Sequence, residues 1–341
     1  MDYYTEPYFG LDICDASLKV LQIKPKKHRM EIAHWLIKPI QPGLIISGVI
    51  QDHDKVAHLI REALKESHVK TAYVVASIPE TKTFSKLLTI SKPFLNGLKT
   101  KVQEEMLKHV PFDANEIEWD FGLVRQDAAA EVFVVAAPKI LIDSYIQLLK
   151  KAKLIPLALA SETMSLMRAL IPVNTHPSLG TLIVDIGEMR TTILIWNGYA
   201  IAHSGDSETS GSHLTSALKE ALKMDDGSAE EMKYTYGLQS GPEPYKKIIA
   251  AYTARLASHI TRDIAHYLDQ SSHNPAVTEI ILTGGGADLK GLSYALADTL
   301  KIRVSIGNPW VNFLGDPPRG IPSSVHARLA TVIGLALYQY V

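Results

Sequence analysis

The feature that most constrains this chain is an internal repetition. The stretch "LDICDASLKV" starts at Leu11 as an apolar run, meets Asp12, crosses a short polar turn and resumes as a second apolar run. The stretch "LIVDIGEMRTTILI" repeats that plan around Asp185. Counted from each acid, Lys19 and Thr192 stand at the same offset. Each stretch reads as a strand–turn–strand hairpin with a carboxylate at its mouth. A tight polar turn aims several backbone N–H groups at one point, a concavity suited to phosphate oxygens. Gly187 lets the backbone come close to such a ligand. Carboxylates repel phosphate, so Asp12 and Asp185 fit best with Mg²⁺ or a water between, while Lys19 neutralises phosphate charge. One such hairpin alone is most simply a turn opened by Asp. Two at matched offset, in two halves of one chain, point to a shared ligand.

The 341 residues suffice for about two domains of ~150 residues each. An apolar fraction of 46% against 21% charged predicts a large packed core. Lys plus Arg is 35 and Asp plus Glu is 36, so no basic excess exists to release counterions from nucleic acid, and a nucleic-acid partner is not expected. The single cysteine, Cys14, excludes an internal disulfide and a cysteine metal cluster and fits a reducing cytoplasm. The start, "MDYYTEPYFG", lacks the basic flank and apolar stretch of a signal peptide. No apolar run approaches the roughly 18 residues of a membrane span. "RLATVIGLALYQYV" reads as a buried helix, and the expectation is a cytoplasmic chain without its own anchor.

Along the chain, residues from about Tyr8 to Ile23 read as a hairpin, and "EIAHWLIKPI" continues as a strand. Val56, Leu59, Ile60, Ala63 and Leu64 recur at helical spacing before the buried strand "TAYVVASIP". From Glu80 to about Ile155 the texture changes. "TFSKLLTIS" reads as a strand, Pro93 opens a helix that Pro111 ends, "IEWDFGLVR" and "EVFVVAAP" pair across "QDAAA", and "ILIDSYIQLLKKA" is an amphipathic helix. This block reads as an inserted α+β subdomain. From about Gly180 come three strands, with Asn197–Gly198 as a two-residue hairpin turn. "HLTSALKEALK" is a helix, and "SAEE" reads as a capping box with Ser228 as N-cap and Glu231 reaching back. A long helix runs from Tyr245 to Gln270, "EIILTGGG" is a strand entering a glycine loop, and "GNPWVNFLGDPPRGIPSS" reads as a long surface loop.

Two further constellations carry chemistry. A strand running into Gly284, Gly285 and Gly286 lets backbone pass against a flat or anionic ligand. Triple glycines also occur as plain loops, and this one gains weight from following the second hairpin. In "AEEMK", Glu230 and Lys233 stand one turn apart on a helix face and could bracket a ribose and a base. The plainer alternative is a solvated helical ion pair of a few tenths of a kcal/mol.

In this order, these elements resemble the actin-like ATPase superfamily of actin, the Hsp70 ATPase domain and sugar kinases. "LDICDASLK" is similar to its first phosphate loop, "VDIGEMRTT" to its second and "LTGGGADLKGL" to its adenosine motif, with "SETMSLMRAL" and "ATVIGLAL" as connecting helices. The finer resemblance, over essentially the whole chain, is to the PilM family of type IV pilus assembly proteins, related to FtsA. "VPFDANEIEWDF" is its most specific mark, beside "VVAAPKILIDSYIQLLKKAKLIPLALASE" and "SAEEMK". The resemblance implies an α/β, actin-like (ribonuclease H-like), two-lobed fold with a duplicated core. Lobe I would hold 1–80, 156–179 and 324–341, with the inserted subdomain at 81–155. Lobe II would hold 180–210 and 270–323, with a helical subdomain at 211–269.

The resemblance also implies a site for ATP or ADP with Mg²⁺. Asp12, and Glu162 of the first connecting helix, would act on the attacking water, and Asp12 and Asp185 would meet the metal through water. Asp15, Ala16, Ser17 and Lys19 would contact phosphates from one side, and Asp185, Gly187, Glu188, Thr191 and Gly211 from the other. Glu230 and Lys233 would hold ribose and base, and Gly284, Gly285 and Gly286 would line the adenosine. The chain departs from the family where Cys14 replaces the usual Gly and where Ser212 follows Gly211 in place of a second Gly. Both bear on hydrolysis more than on binding, so at most slow ATPase activity is implied. Cys14 reads better as a small packed residue than as a redox nucleophile. The implied partners are the N-terminal cytoplasmic peptide of PilN, and the assembly or retraction ATPase with its platform proteins. The implied place is the cytoplasmic face of the inner membrane, reached only through partners, with a homodimer or filament as a further option. The alternatives are a small-molecule kinase of the superfamily, for which the chain looks short of insertions, and an FtsA-like filament-forming scaffold.

Overall fold

The computed structural model describes residues 6–26, 29–91, 97–110, 112–126, 129–173, 179–270, 274–314 and 320–340. The chain divides into two compact units: Met1–Asn174 with Pro309–Ile321 and Leu329–Val341, and Thr175–Asn308 with Pro322–Arg328.

The first unit is built on β1 (Phe9–Ile13), β2 (Ser17–Lys26), β3 (Arg29–Pro39), the short strands β4 (Ile45–Ile46) and β5 (Val49–Ile50), α1 (His53–Glu66) and β6 (Tyr73–Ile78). Next come β7 (Phe84–Ser91), α2 (Leu98–Met106), β8 (Ile117–Gln126) and β9 (Ala129–Pro138), then α3 (Lys139–Lys151), which packs in the core of the main sheet, β10 (Ile155–Ser161) and α4 (Glu162–Leu170). That sheet runs β10-β6-β1-β2-β3. Its central strands are covered on both faces, which is why they read as unbroken apolar runs. Phe9, Leu11 and Ile13 point into a core with Val56 and Ile60 of α1 and Leu148 of α3. Gly10, between them, faces the C-terminal helix α9 (Ala330–Ala336), where a Cβ would lie 2.7 Å from the Val332 carbonyl oxygen. A glycine is required there because helix backbone lies against strand backbone. The inserted sheet, β7-β9-β8, packs Leu88, Ile90, Val132 and Val134 on Val102 and Met106 of α2.

The second unit repeats the plan with β11 (Gly180–Ile186), β12 (Thr191–Trp196), β13 (Ile201–Ser207), α5 (Gly211–Leu222), α6 (Asp226–Tyr236), α7 (Glu243–Gln270), β14 (Val277–Thr283), α8 (Leu292–Leu300) and β15 (Arg303–Ile306). Its sheet runs β13-β12-β11-β14-β15. Read from the opposite edge, each strand has its counterpart in the first sheet: β11 stands for β1, β12 for β2 and β14 for β6. In both sheets the hairpin pair is antiparallel and the next strand is parallel. Leu182, Val184 and Ile186 meet Leu256 and Ile260 of α7 in one core, while Leu214, Leu218, Tyr245 and Ile249 tie α5 to α7 in a second.

Four expectations are corrected or fall outside. The cap of α6 is Asp225, whose carboxylate accepts from the Ser228 N–H at 2.9 Å; Ser228 is the third helical residue and returns its hydroxyl to Asp225. Asp caps as well as Ser does, and the upstream acid starts the helix three residues early. Asn197–Gly198 does not form a two-residue turn. Trp196 pairs with Ile201, and the Asn197 side chain accepts from the Tyr199 and Ala200 N–H groups across a longer connection. The stretch read as a surface loop is anchored: Trp310, Phe313 and Ile321 are buried, and Asn312 donates to the Arg168 and Ile171 carbonyls. Pro93 and Pro111 lie outside the described residues.

Candidate functional site

The first hairpin places Asp12 directly across the ladder from Lys19. Lys19 Nζ lies 2.7 Å from Asp12 Oδ2, and the carboxylate is 1% exposed. Ser77 Oγ donates to Asp12 Oδ1 at 3.1 Å and accepts the Ile13 N–H at 2.9 Å, tying the hairpin to β6. Cys14 Sγ stands 3.3 Å from Asp12 Oδ1. Burial, then the Asp12 charge, push the Cys14 thiol up, which keeps it protonated and agrees with a packed thiol. Cys14 does not have positive φ, so its Cβ is accommodated. Asp15 turns away from the mouth: its two oxygens accept the Ser47 and Gly48 N–H groups, each at 2.8 Å, and so pin the β4–β5 turn. The Ala16 carbonyl accepts the Ile40 N–H, and Ser17 pairs with Pro39 in the ladder.

The second hairpin matches the first in register. Asp185 pairs with Thr192 as Asp12 pairs with Lys19, and Ile186 with Thr191 as Ile13 with Leu18. The turns share one defining bond: Cys14 N–H to the Ser17 carbonyl at 3.0 Å, and Gly187 N–H to the Arg190 carbonyl at 2.9 Å. They differ at the position of Lys19, where the second hairpin has Thr192, whose hydroxyl donates to Asp206 Oδ1 at 3.0 Å. The Thr191 hydroxyl donates to the Thr209 carbonyl at 2.6 Å.

The glycine loop packs directly on this hairpin. Gly284 has φ +80, and a Cβ there would lie 2.3 Å from Asp185 Oδ1; one on Gly286 would lie 2.2 Å from Ile186 Cγ2. Gly285 differs: a Cβ would meet nothing nearer than Arg328 Nε at 3.7 Å. Two of the three glycines are thus demanded by packing, and the third keeps open space. Arg328 is held by Asp288 and by the Tyr234 hydroxyl at 2.8 Å.

The start of α5 is drawn to the same turn. The Gly211 N–H donates to the Gly187 carbonyl at 3.0 Å and the Ser212 N–H to the Glu188 carbonyl at 2.8 Å. Lys233 Nζ then reaches Glu230 Oε1 at 2.7 Å, Thr215 Oγ1 at 2.9 Å and the Gly211 carbonyl at 3.1 Å. The Thr215 hydroxyl also meets Glu230 Oε1. Glu230 and Lys233 are therefore part of a clasp joining α6 to α5, with Glu230 still 43% exposed. Glu162 opens α4 and is buried in the first unit.

Sequence reasoning missed Ser77 and Thr215. Ser77 carried a usable signal, because a hydroxyl residue closes the apolar strand beside each hairpin: Ser77 beside β1 and Thr283 beside β11. Thr215 had none, since its role depends on α6 folding back onto α5.

Two matched sheets, each with an acid-bearing hairpin at the same register, define the actin-like ATPase fold. The chain shares it with the ethanolamine utilization protein EutJ from Carboxydothermus hydrogenoformans, at TM-score 0.60 and 15% identity, covering 99% of this chain and 92% of that one. It shares it also with MreB5 of Spiroplasma citri bound to ADP, at 0.59 and 12%, covering 98% and 97%. A solved PilM–PilN type IV pilus biogenesis complex matches at TM-score 0.84 and 24% identity, covering 98% of this chain and 99% of that one. The family described as type IV pilus assembly protein PilM matches residues 10–340, and the chain belongs to that family.

Proposed function

We propose that this chain is a nucleotide-responsive adaptor of type IV pilus assembly. One ATP or ADP is held through its phosphates by both the Asp12 and the Asp185 hairpins, and through ribose and base by Glu230, Lys233 and the Gly284–Gly286 loop. The observation that carries this reading is the identity of register and turn bond in the two hairpins. Structures of MreB5, which shares the fold, hold ADP and AMPPNP, and supply a precedent for the ligand class.

The donor set fits a metal that arrives with the nucleotide. Among the described residues no group of three or more His, Cys, Asp or Glu is arranged to hold a metal ion. Mg²⁺ prefers to keep waters and phosphate oxygens, so Asp12 and Asp185 would orient metal-bound water. Mg²⁺ supplies charge neutralisation on the phosphates. Lys19 adds a cation on one side, and the Gly285 backbone leaves room on the other.

Family membership and the match to a PilM–PilN complex support PilN as the partner, and its N-terminal peptide is the segment this reading assigns to the contact. No helix among the described residues is long and apolar enough to cross a membrane, and recruitment through a membrane partner suits that. A ligand gripped by two separate units can bias their arrangement, which is how nucleotide state would reach the partner. Calorimetric titration of a PilN N-terminal peptide, with and without ATP–Mg²⁺, tests the adaptor role. Binding whose affinity differs between the two conditions is expected; no binding in either would contradict it.

A further inference from the structure

At the end of the first sheet opposite Asp12, a cavity of about 560 Å³ is lined by Gln22, Lys24, His34, His68, Lys70 and Thr71, with Pro7 at its side. It lies where β2 and β3 pass the segment leading into β6, before β1 begins. Its lining carries two ammonium groups and two imidazoles and no carboxylate. Among the described residues neither Lys24 nor Lys70 makes an ion pair, although other lysines of the same sheet do: Lys26 pairs with Glu31, and Lys38 with Glu62 and Glu66. Gln22 is only 4% exposed, and its amide has no hydrogen-bond partner among the described residues. The amide atoms are not sealed from solvent, so they are available to bond a ligand or water in the cavity. Thr71 is occupied, donating to the Pro7 carbonyl at 2.6 Å and accepting the Tyr73 N–H at 3.1 Å, which fixes the wall. Burial, then Lys24, His68 and Lys70, hold the His34 imidazole below its usual range, and the ladder neighbour of Lys24, Glu31, is engaged by Lys26.

We propose that this cavity is a binding site for a small phosphate-bearing anion, separate from the nucleotide hairpins, with Lys24 and Lys70 neutralising the phosphate and the Gln22 amide and the imidazoles completing its hydrogen bonds. A phosphate group offers strong acceptors to several donors at once, and lysine binds it as a mobile point charge. The volume suits a small ligand rather than a bare ion. A concave site favours a free phosphate compound over the headgroup of a lipid in a flat bilayer, which carries the same chemistry.

The test uses the full chain and inorganic pyrophosphate as probe. The ring resonances of His34 and His68, assigned with His34→Gln and His68→Gln, are followed by NMR during the titration. Both rings should shift and saturate, and the Lys24→Gln/Lys70→Gln double variant should weaken the apparent affinity about tenfold or more. Both lysines are exposed, so that variant should fold like the parent, which circular dichroism checks. Rings that do not move, or a double variant that binds equally well, would overturn the proposal. In a parallel arm, flotation with phosphatidylglycerol vesicles that depends on Lys24 and Lys70, with no response to pyrophosphate, would assign the site to a headgroup and overturn the small-ligand reading. Both rings report far along the sheet from Asp12, so failure of nucleotide binding at the hairpins would leave this readout intact.

Discussion

Lys19 and Asp12 face each other across the β1–β2 ladder with 2.7 Å between Nζ and Oδ2, and the carboxylate is nearly sealed from solvent. The lysine that would meet phosphate therefore also neutralises a buried acid of its own hairpin. Breaking a buried pair by removing one partner leaves an uncompensated charge. Lys19→Met should lower stability by about 3 kcal/mol, measured by urea unfolding, because Ser77 and Cys14 alone remain on Asp12. A stability equal to the parent's would show that the pair contributes nothing to the fold. Nucleotide affinity of this variant has to be measured well below its own unfolding temperature.

The three glycines of the loop should separate cleanly. Gly284→Ala puts a Cβ 2.3 Å from Asp185 Oδ1 at a φ of +80 and should cost about 3 kcal/mol or more. Gly285→Ala meets only Arg328 Nε, at an unstrained 3.7 Å, and should stay within about 0.5 kcal/mol of the parent, while lowering nucleotide affinity. Thermal unfolding and a nucleotide titration on both variants check this. Equal destabilisation by the two substitutions would contradict the packing described here.

Cys14, the chain's single cysteine, is a local probe of the first turn. Burial and the Asp12 charge raise its pKa, so little thiolate is present at pH 8 and iodoacetamide should react far more slowly than with a free thiol. Asp12→Asn removes one of the raising charges and should speed alkylation at the same pH, followed by mass spectrometry. A native rate like that of free cysteine would contradict the raised pKa of the Cys14 thiol.

The crossing of α4 and α9 depends on Gly334, where a Cβ would stand 1.8 Å from the Ser165 carbonyl oxygen. Gly334→Ala should force the helices apart and cost about 3 kcal/mol, read as a drop in melting temperature. An unchanged melting temperature would show that the helices are not packed backbone to backbone.

Much of this architecture was readable from residues alone, for a physical reason. Strands buried on both faces are mostly apolar, so β1, β6 and β11 announce themselves, and an acid near the end of such a run is conspicuous. The repeated offset of Lys19 and Thr192 from Asp12 and Asp185 became a repeated ladder register. Features set by contacts distant in sequence were not readable. The Asp225 cap won over Ser228 because both can cap and only the surrounding fold chooses. The bond of Asp15 to the Ser47–Gly48 turn, and the clasp of Lys233 on Gly211 and Thr215, join segments whose proximity no local pattern encodes. Trp310 and Phe313 sit in a Gly- and Pro-rich stretch that reads as exposed, yet their burial anchors it.

The central claim is that two hairpins from different units serve one nucleotide. Its most direct test is calorimetric titration of ATP–Mg²⁺ into the parent chain, Lys19→Met and Gly285→Ala. The account predicts one nucleotide per chain in the parent and weaker binding in both variants, one altered in each unit. No binding by the parent, or affinity that responds to only one of the two units, would contradict it.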